Sequence, residues 1–217
     1  MNTLLSLAIS PALICLFYMY IRDKYEKEPF RLLLVGLIFG AVSIFPIMQI
    51  EGLLASFMPI LGRYGEAFYE SFFVASLAEE GFKFILLFLI FYKHKERNEP
   101  IDAIIYAVFL SLGFAMVENV LYVFHPDIGG IDTALSRALI SVPAHGLFGI
   151  IMGYYFAEGK LFRAFLVPFI IHGVYDFILL SEHRLYLLVF VPFLLINWHL
   201  GFKKIKNHLQ KSPFRKI

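Results

Sequence analysis

The sequence predicts an all-α fold, a polytopic membrane helix bundle of about seven or eight transmembrane helices, seven of which can be delimited. Three observations carry this. First, the chain of 217 residues is 59% hydrophobic and only 17% charged, against about a quarter charged in soluble domains. Its mean hydropathy is +0.74. Second, the apolar residues gather into runs long enough to cross a hydrocarbon core, which takes about 20 helical residues. Third, the basic residues alternate between connections. Fifteen of the 19 Lys and Arg residues fall in the first, third and fifth loops and the C-terminal stretch, and three in the even loops. By the positive-inside rule the odd loops and the C-terminus are cytoplasmic and the N-terminus is outside. The net charge of +2 is thus a topology signal and points to no nucleic acid. The apolar surface has the lipid bilayer as its partner.

The spans follow in order. Residues 2–21 are apolar with no basic stretch before them, so they read as a retained first helix and not a signal peptide. They hold the single cysteine, Cys15, so no intrachain disulfide can form. The second span is 32–50. Residues 52–61 either extend it or lie at the interface, because Gly52, Pro59 and Gly62 interrupt the pattern. The third span, 71–92, carries Glu79, Glu80 and Lys83. The fourth, 101–124, is opened by Pro100 and Asp102 as an N-terminal cap and holds Glu118 and Asn119. The fifth, 136–157, carries His145 above a Gly149 and Gly153 stripe that admits a close helix neighbour. The sixth, 164–181, carries His172 and Asp176, and the seventh is 186–202. This gives one membrane-embedded domain, 1–202, and a basic cytoplasmic tail, 203–217.

The topology gives each polar group a depth at 1.5 Å rise per residue. Counted from the outer ends of their spans, Glu79 and Glu80 lie roughly 12–14 Å deep, His145 and His172 about 13 Å, and Glu118, Asn119 and Asp176 about 8–9 Å. Four helices therefore bring ionisable groups to one layer in the outer half of the membrane. A carboxylate in that layer costs a few kcal/mol, and two adjacent ones resist joint ionisation, so the Glu79–Glu80 pair points to chemistry or transport. Lys83 shares their helix face at i,i+4 and i,i+3 and can neutralise one carboxylate while the other shares a proton. Asp176 stands one turn from His172 and can orient its imidazole.

Acids and histidines in one wet pocket suit water activation, with a carboxylate as base and an imidazole or second acid protonating the leaving amine. His145 and Asn119 are candidate oxyanion donors. No His-Glu-x-x-His motif and no Gly-x-Ser-x-Gly element is present. A metal held by His145, His172 and Glu118 stays open, since His/carboxylate triads bind zinc; the expectation is that no cofactor is needed. Intramembrane acids also build proton-coupled transporters, and the same pocket could bind a peptide without cutting it, as an immunity protein would.

The ordered set Glu79-Glu80-x-x-Lys83, Phe114-x-x-x-Glu118-Asn119, His145 and His172-Gly-x-x-Asp176 resembles the PrsW family. These are glutamic-type intramembrane proteases within the superfamily of CAAX prenyl proteases and bacteriocin-immunity proteins. The resemblance extends to Lys24-Tyr25, Glu28-Pro29, Phe45-Pro46-Ile47-Met48 and Ser111-Leu112-Gly113-Phe114-Ala115. It implies a glutamic-type endopeptidase of the bacterial plasma membrane, with Glu79, Glu80 and His172 catalytic and Glu118 and His145 lining the pocket. It further implies a single-pass membrane substrate, an anti-sigma factor cut at site 1 near its extracytoplasmic side, so that a sigma factor is activated under envelope or antimicrobial-peptide stress. Where the wider superfamily carries histidine in the second motif, this chain has Glu118, as PrsW-like members do.

Overall fold

A single helix, almost wholly sequestered from its surroundings, forms the axis of the structure. In the computed structural model, which describes residues 2–215, the elements are α1 (Asn2–Arg22), α2 (Phe30–Ser56), α3 (Gly62–Tyr69), a π-helical stretch (Glu70–Ser76), α4 (Leu77–Phe91), α5 (Pro100–Val123), α6 (Ile131–Leu139), α7 (Ser141–Ala157), α8 (Leu161–Leu180) and α9 (Arg184–Gln210). The all-α fold is as the sequence predicts, and six stretches are long and apolar enough to cross a membrane. The most apolar window of α5 is 83% buried inside the protein, against 17% for α9. The apolar face of α5 therefore meets protein, whereas α9 offers its apolar side chains outward, as a lipid-facing helix does.

Glycines let the neighbours approach α5. A Cβ on Gly40 of α2 would stand 1.9 Å from the Leu110 carbonyl oxygen, and one on Gly113 of α5 would stand 2.2 Å from that of Leu37. On the other side, a Cβ on Gly153 of α7 would be 2.4 Å from the Ala103 carbonyl oxygen, and one on Gly149 would be 2.9 Å from the Val108 Cα. In lipid, helices associate largely through such close packing. The glycine stripe below His145 thus receives α5, which fixes the depth of the histidine.

Three spans differ from expectation. The third, 71–92, is not a plain α-helix. It is a continuous run of α3, the π-helical stretch and α4, and residues 52–61 are shared between the end of α2 and the turn before α3. The π-helical stretch docks on α8. The Phe72 ring covers Gly173, whose added Cβ would meet it at 2.5 Å, and the Ser76 hydroxyl donates to the Phe169 carbonyl at 2.6 Å. Such wide turns shift the register of everything that follows, here Glu79 and Glu80. The fifth span breaks at Ile140 into α6 and α7. Pro143 has no N–H for the Leu139 carbonyl, and it stands in the first turn of α7, where that bond is not needed. The last helix continues through Gln210, beyond the expected 202, and carries Lys203, Lys204 and Lys206 with it; Lys216 lies outside the described residues.

At the opposite end from the intramembrane acids, the first loop is tied to α5. The Glu28 backbone N–H donates to Asp23 at 2.7 Å, and the Tyr106 hydroxyl donates to the Glu28 carboxylate. Asp102 accepts from the N–H groups of Asn98 and Glu99 at 2.8 and 2.7 Å, capping α5 from its first turn. Burial pushes the Asp23 carboxyl up to about 6 and, with the nearby Asp102 charge, the Glu28 carboxyl up to about 9. A carboxyl held protonated by the fold costs nothing below its unfolded value of about 4.3. It removes stability as pH rises from there through the folded value, because the unfolded chain ionises first. Glu28→Gln is therefore expected to raise the melting temperature at pH 8 and to leave it near wild type at pH 4.5. Thermal unfolding in detergent micelles at the two pH values checks this, and an equal shift at both would refute it.

Candidate active site

The chemistry begins on α4. Glu79 and Glu80 stand in its first turn, immediately after the π-helical stretch. Lys83, one turn on, donates from Nζ to Glu79 Oε2 at 2.8 Å and to Glu80 Oε1 at 3.0 Å. The ammonium is wholly buried and lies 4.2 Å from the Phe114 ring centroid. The expectation that Lys83 would serve one glutamate is corrected here: it bridges both, because three and four residues apart on a helix are both within its reach.

From α7, His145 Nδ1 lies 3.4 Å from Lys83 Nζ and its Nε2 3.1 Å from Glu118 Oε2. From α8, His172 is held between two acids, with Nδ1 3.0 Å from Glu80 Oε1 and Nε2 3.1 Å from Asp176 Oδ2. The Phe148 ring stacks on its face at 4.7 Å. All eight residues singled out in the sequence thus lie in one connected region of the bundle.

Asn119 is the one that is used differently. Its amide donates to the Ala8 carbonyl at 2.7 Å, and its oxygen accepts from Arg137 Nε at 2.9 Å. Its donors are committed to joining α1 and α5, which withdraws the oxyanion role. Arg137 is a residue that sequence reasoning missed. It reads as a loop arginine, yet its Nη2 donates to Glu118 Oε2 at 2.6 Å, reaching in from α6 because the break at Ile140 reorients that helix. Tyr175, which donates to Ser141 Oγ at 3.1 Å, was also not singled out.

A cavity of about 610 Å³ opens onto this constellation. Glu79, Glu118, His145, His172 and Asp176 line it, with Arg137 and Glu51. Glu80 is fully buried away from the cavity wall, and its Oε2 has no hydrogen-bond partner among the described residues. The two adjacent glutamates therefore have different surroundings: Glu79 meets whatever fills the cavity, and Glu80 anchors Lys83 and His172.

The donor set can be tested against a metal. Ligand atoms of Glu79, Glu80 and His172 lie within 4.8 Å of one another, all three residues buried. This is a different trio from the His145, His172 and Glu118 set expected from the sequence. Two features fit a divalent ion there. Glu80 has a free buried oxygen, and Asp176 engages the far nitrogen of His172, as outer carboxylates do for metal-bound histidines. Charge balance also admits one. Among the described residues, Glu79, Glu80, Glu118 and Asp176 face two fixed cations, Lys83 and Arg137, and a divalent ion would close the difference of two charges.

Comparison with known proteins agrees with the geometry. A family model described as PrsW family intramembrane metalloprotease matches residues 28–197. Protease PrsW of Clostridioides difficile (strain 630) is 38% identical over 218 residues, covering 95% of this chain and 91% of the relative. That of Geobacillus kaustophilus (strain HTA426) is 38% identical over 216 residues, covering 95% and 92%. That of Bacillus subtilis (strain 168) is 36% identical over 219 residues, covering 95% and 96%. No solved structure matches the chain.

Proposed function

The chain belongs to the PrsW family of intramembrane proteases, and from that premise we propose that it hydrolyses a peptide bond of a single-pass membrane protein with Glu79 as the base toward water. The observation that carries this is the division of labour between the paired acids: one lines the cavity and its neighbour is enclosed. Glu79 takes a proton from the attacking water, whose oxygen bonds to the scissile carbonyl carbon. Lys83 keeps the Glu79 carboxylate in place. His172 lies between Glu80 and Asp176 in the cavity wall; its Nε2–H exchanges the Asp176 carboxylate for the developing oxyanion, and His145 borders the same space with Glu118 and Arg137 behind it. As the C–N bond breaks, the proton held by Glu79 passes to the leaving amine.

Water activation by the glutamates alone, the glutamic class, is supported by Lys83, whose ammonium contacts both carboxylates and occupies the position beside them. The alternative is a metal-dependent enzyme, favoured by the free oxygen of Glu80 and the Asp176–His172 contact. A divalent ion held by Glu79, Glu80 and His172 would supply Lewis acidity toward water and the carbonyl. Cleavage by reconstituted, metal-analysed protein, with and without a strong chelator, separates the two classes. The glutamic class predicts full activity after chelation and no stoichiometric metal. Activity lost with the metal and restored by adding it back would establish the other class, and no cleavage under any condition would return the transporter and binding readings.

The alternation of basic loops supports a site in the outer half of the plasma membrane, with the C-terminus cytoplasmic. A cut there suits an anti-sigma factor that crosses the membrane once, so that the first cleavage leads to sigma-factor activation under envelope stress. The family resemblance is the support for that substrate. Co-expression of this chain with a candidate anti-sigma factor, followed by immunoblotting for the shortened product, tests it.

A further inference from the structure

Glu51 is anomalous in α2. The helix runs for 27 residues, and its only other charged residue is Arg31 at the opposite end. Glu51 is half-buried, lines the same cavity as Glu79 and makes no hydrogen bond or ion pair among the described residues. It lies within the electrostatic reach of Glu79, Glu118, Lys83 and His172. The acids closest to the catalytic groups are engaged: Glu79 by Lys83, Glu118 by Arg137 and Asp176 by His172. An acid at this point of the helix carries a desolvation cost, and the Lys83 and His172 charges within its reach are already paired with other acids, which leaves Glu51 open to a cation that enters the cavity.

We propose that Glu51 is a specificity-determining residue that receives the cationic side chain of a lysine or arginine of the substrate, close to the scissile bond. The inference rests on the protease reading above. A basic side chain suits the wall on both counts. Ile44, Met48 and Val74 line the cavity with Glu51 and offer apolar contact to an aliphatic stem, which long basic residues bury while their charge seeks a polar group. A charged hydrogen bond between ammonium or guanidinium and carboxylate is among the stronger polar contacts available. It also relieves both partners of being unpaired in a weakly polar setting. Glu70, a second carboxylate in the cavity wall without a bond of its own, lies on the Asp176 side and adds to the negative potential there.

The test uses reconstituted full-length protein and a set of single-pass substrates built on one that the wild type cleaves. They differ only at positions flanking the cut, which carry Lys, Gln or Glu in turn. The readout is the ratio of kcat/KM values between substrates, which does not depend on how much of a variant is folded. At one flanking position the wild type is expected to favour Lys over Gln by about tenfold or more. Glu51→Asp retains that preference, Glu51→Gln brings the ratio toward one, and Glu51→Lys reverses it in favour of the Glu substrate. Equal ratios in wild type and variants, or no preference in the wild type, would overturn the proposal while leaving the protease reading intact. Failure of the wild type to cleave any substrate would remove both. If the variants are wholly inactive, carbodiimide coupling in a Glu79→Gln background decides. A mass-identified link between Glu51 and the substrate lysine supports the contact, and links only to other carboxylates refute it.

Discussion

Glu79→Gln is expected to lower the rate of peptide-bond hydrolysis by about 10²–10⁴-fold, the contribution of a positioned general base, in a protein that keeps its fold. Glutamine has the shape of glutamate and still offers an oxygen to Lys83, whose charge remains paired with Glu80 at 3.0 Å. What is lost is the basic oxygen that faces the cavity. Glu80→Gln should also slow the reaction, but by loosening Lys83 and His172, which Glu80 contacts from its enclosed position. Cleavage by Glu79→Gln at the wild-type rate would end the assignment of the base.

Lys83→Met is expected to be the most destabilising single change in the site. It preserves a long flexible side chain but leaves Glu79 and Glu80 adjacent, almost fully buried and without their shared cation. Breaking a buried pair in this way costs about 3–5 kcal/mol, and here two carboxylates lose the same partner. Restoring neutrality should recover part of the loss. The double variant Glu80→Gln/Lys83→Met should melt higher than Lys83→Met alone, a coupling that a double-mutant cycle measures directly. Thermal or denaturant unfolding of the four proteins in one detergent is sufficient. If Lys83→Met melts with the wild type, or if removing Glu80 lowers it further, the electrostatic account of the pair is wrong.

The sequence discloses the layer in which this site is built but not its internal wiring. Depth follows from counting along apolar spans, so Glu79, His145, His172 and their neighbours could be assigned to one level without coordinates. Contacts within a single helix were equally legible. Lys83 meets the glutamates, and Asp176 meets His172 at 3.1 Å, because i,i+3 and i,i+4 neighbours face one another. What stayed hidden depends on the direction in which helices face. The π-helical stretch before Glu79 changes the rotation of α4, and no pattern with a period of 3.6 residues announces it. Which glutamate meets the cavity therefore could not be read. Arg137 was lost for a related reason: the chain breaks at Ile140, and α6 turns an apparent loop residue onto Glu118. Asn119 shows the converse, since its spacing places it beside Glu118 while its amide is committed to Ala8, more than a hundred residues away in the chain.

The composite nature of the site has a consequence for the protein's own synthesis. Its groups come from α4, α5, α7 and α8, and the last of them to leave the ribosome, His172 and Asp176, belong to α8. A nascent chain inserts its helices in order. Until α8 enters the bilayer, Glu80 has no imidazole beside it and the cavity lacks one wall. The half-made protein already displays a pair of glutamates to the membrane, but it cannot orient water against a neighbouring chain. Hydrolytic competence thus waits for the arrival of α8, which spares the surroundings of the insertion machinery from a protease whose earlier helices are already in place.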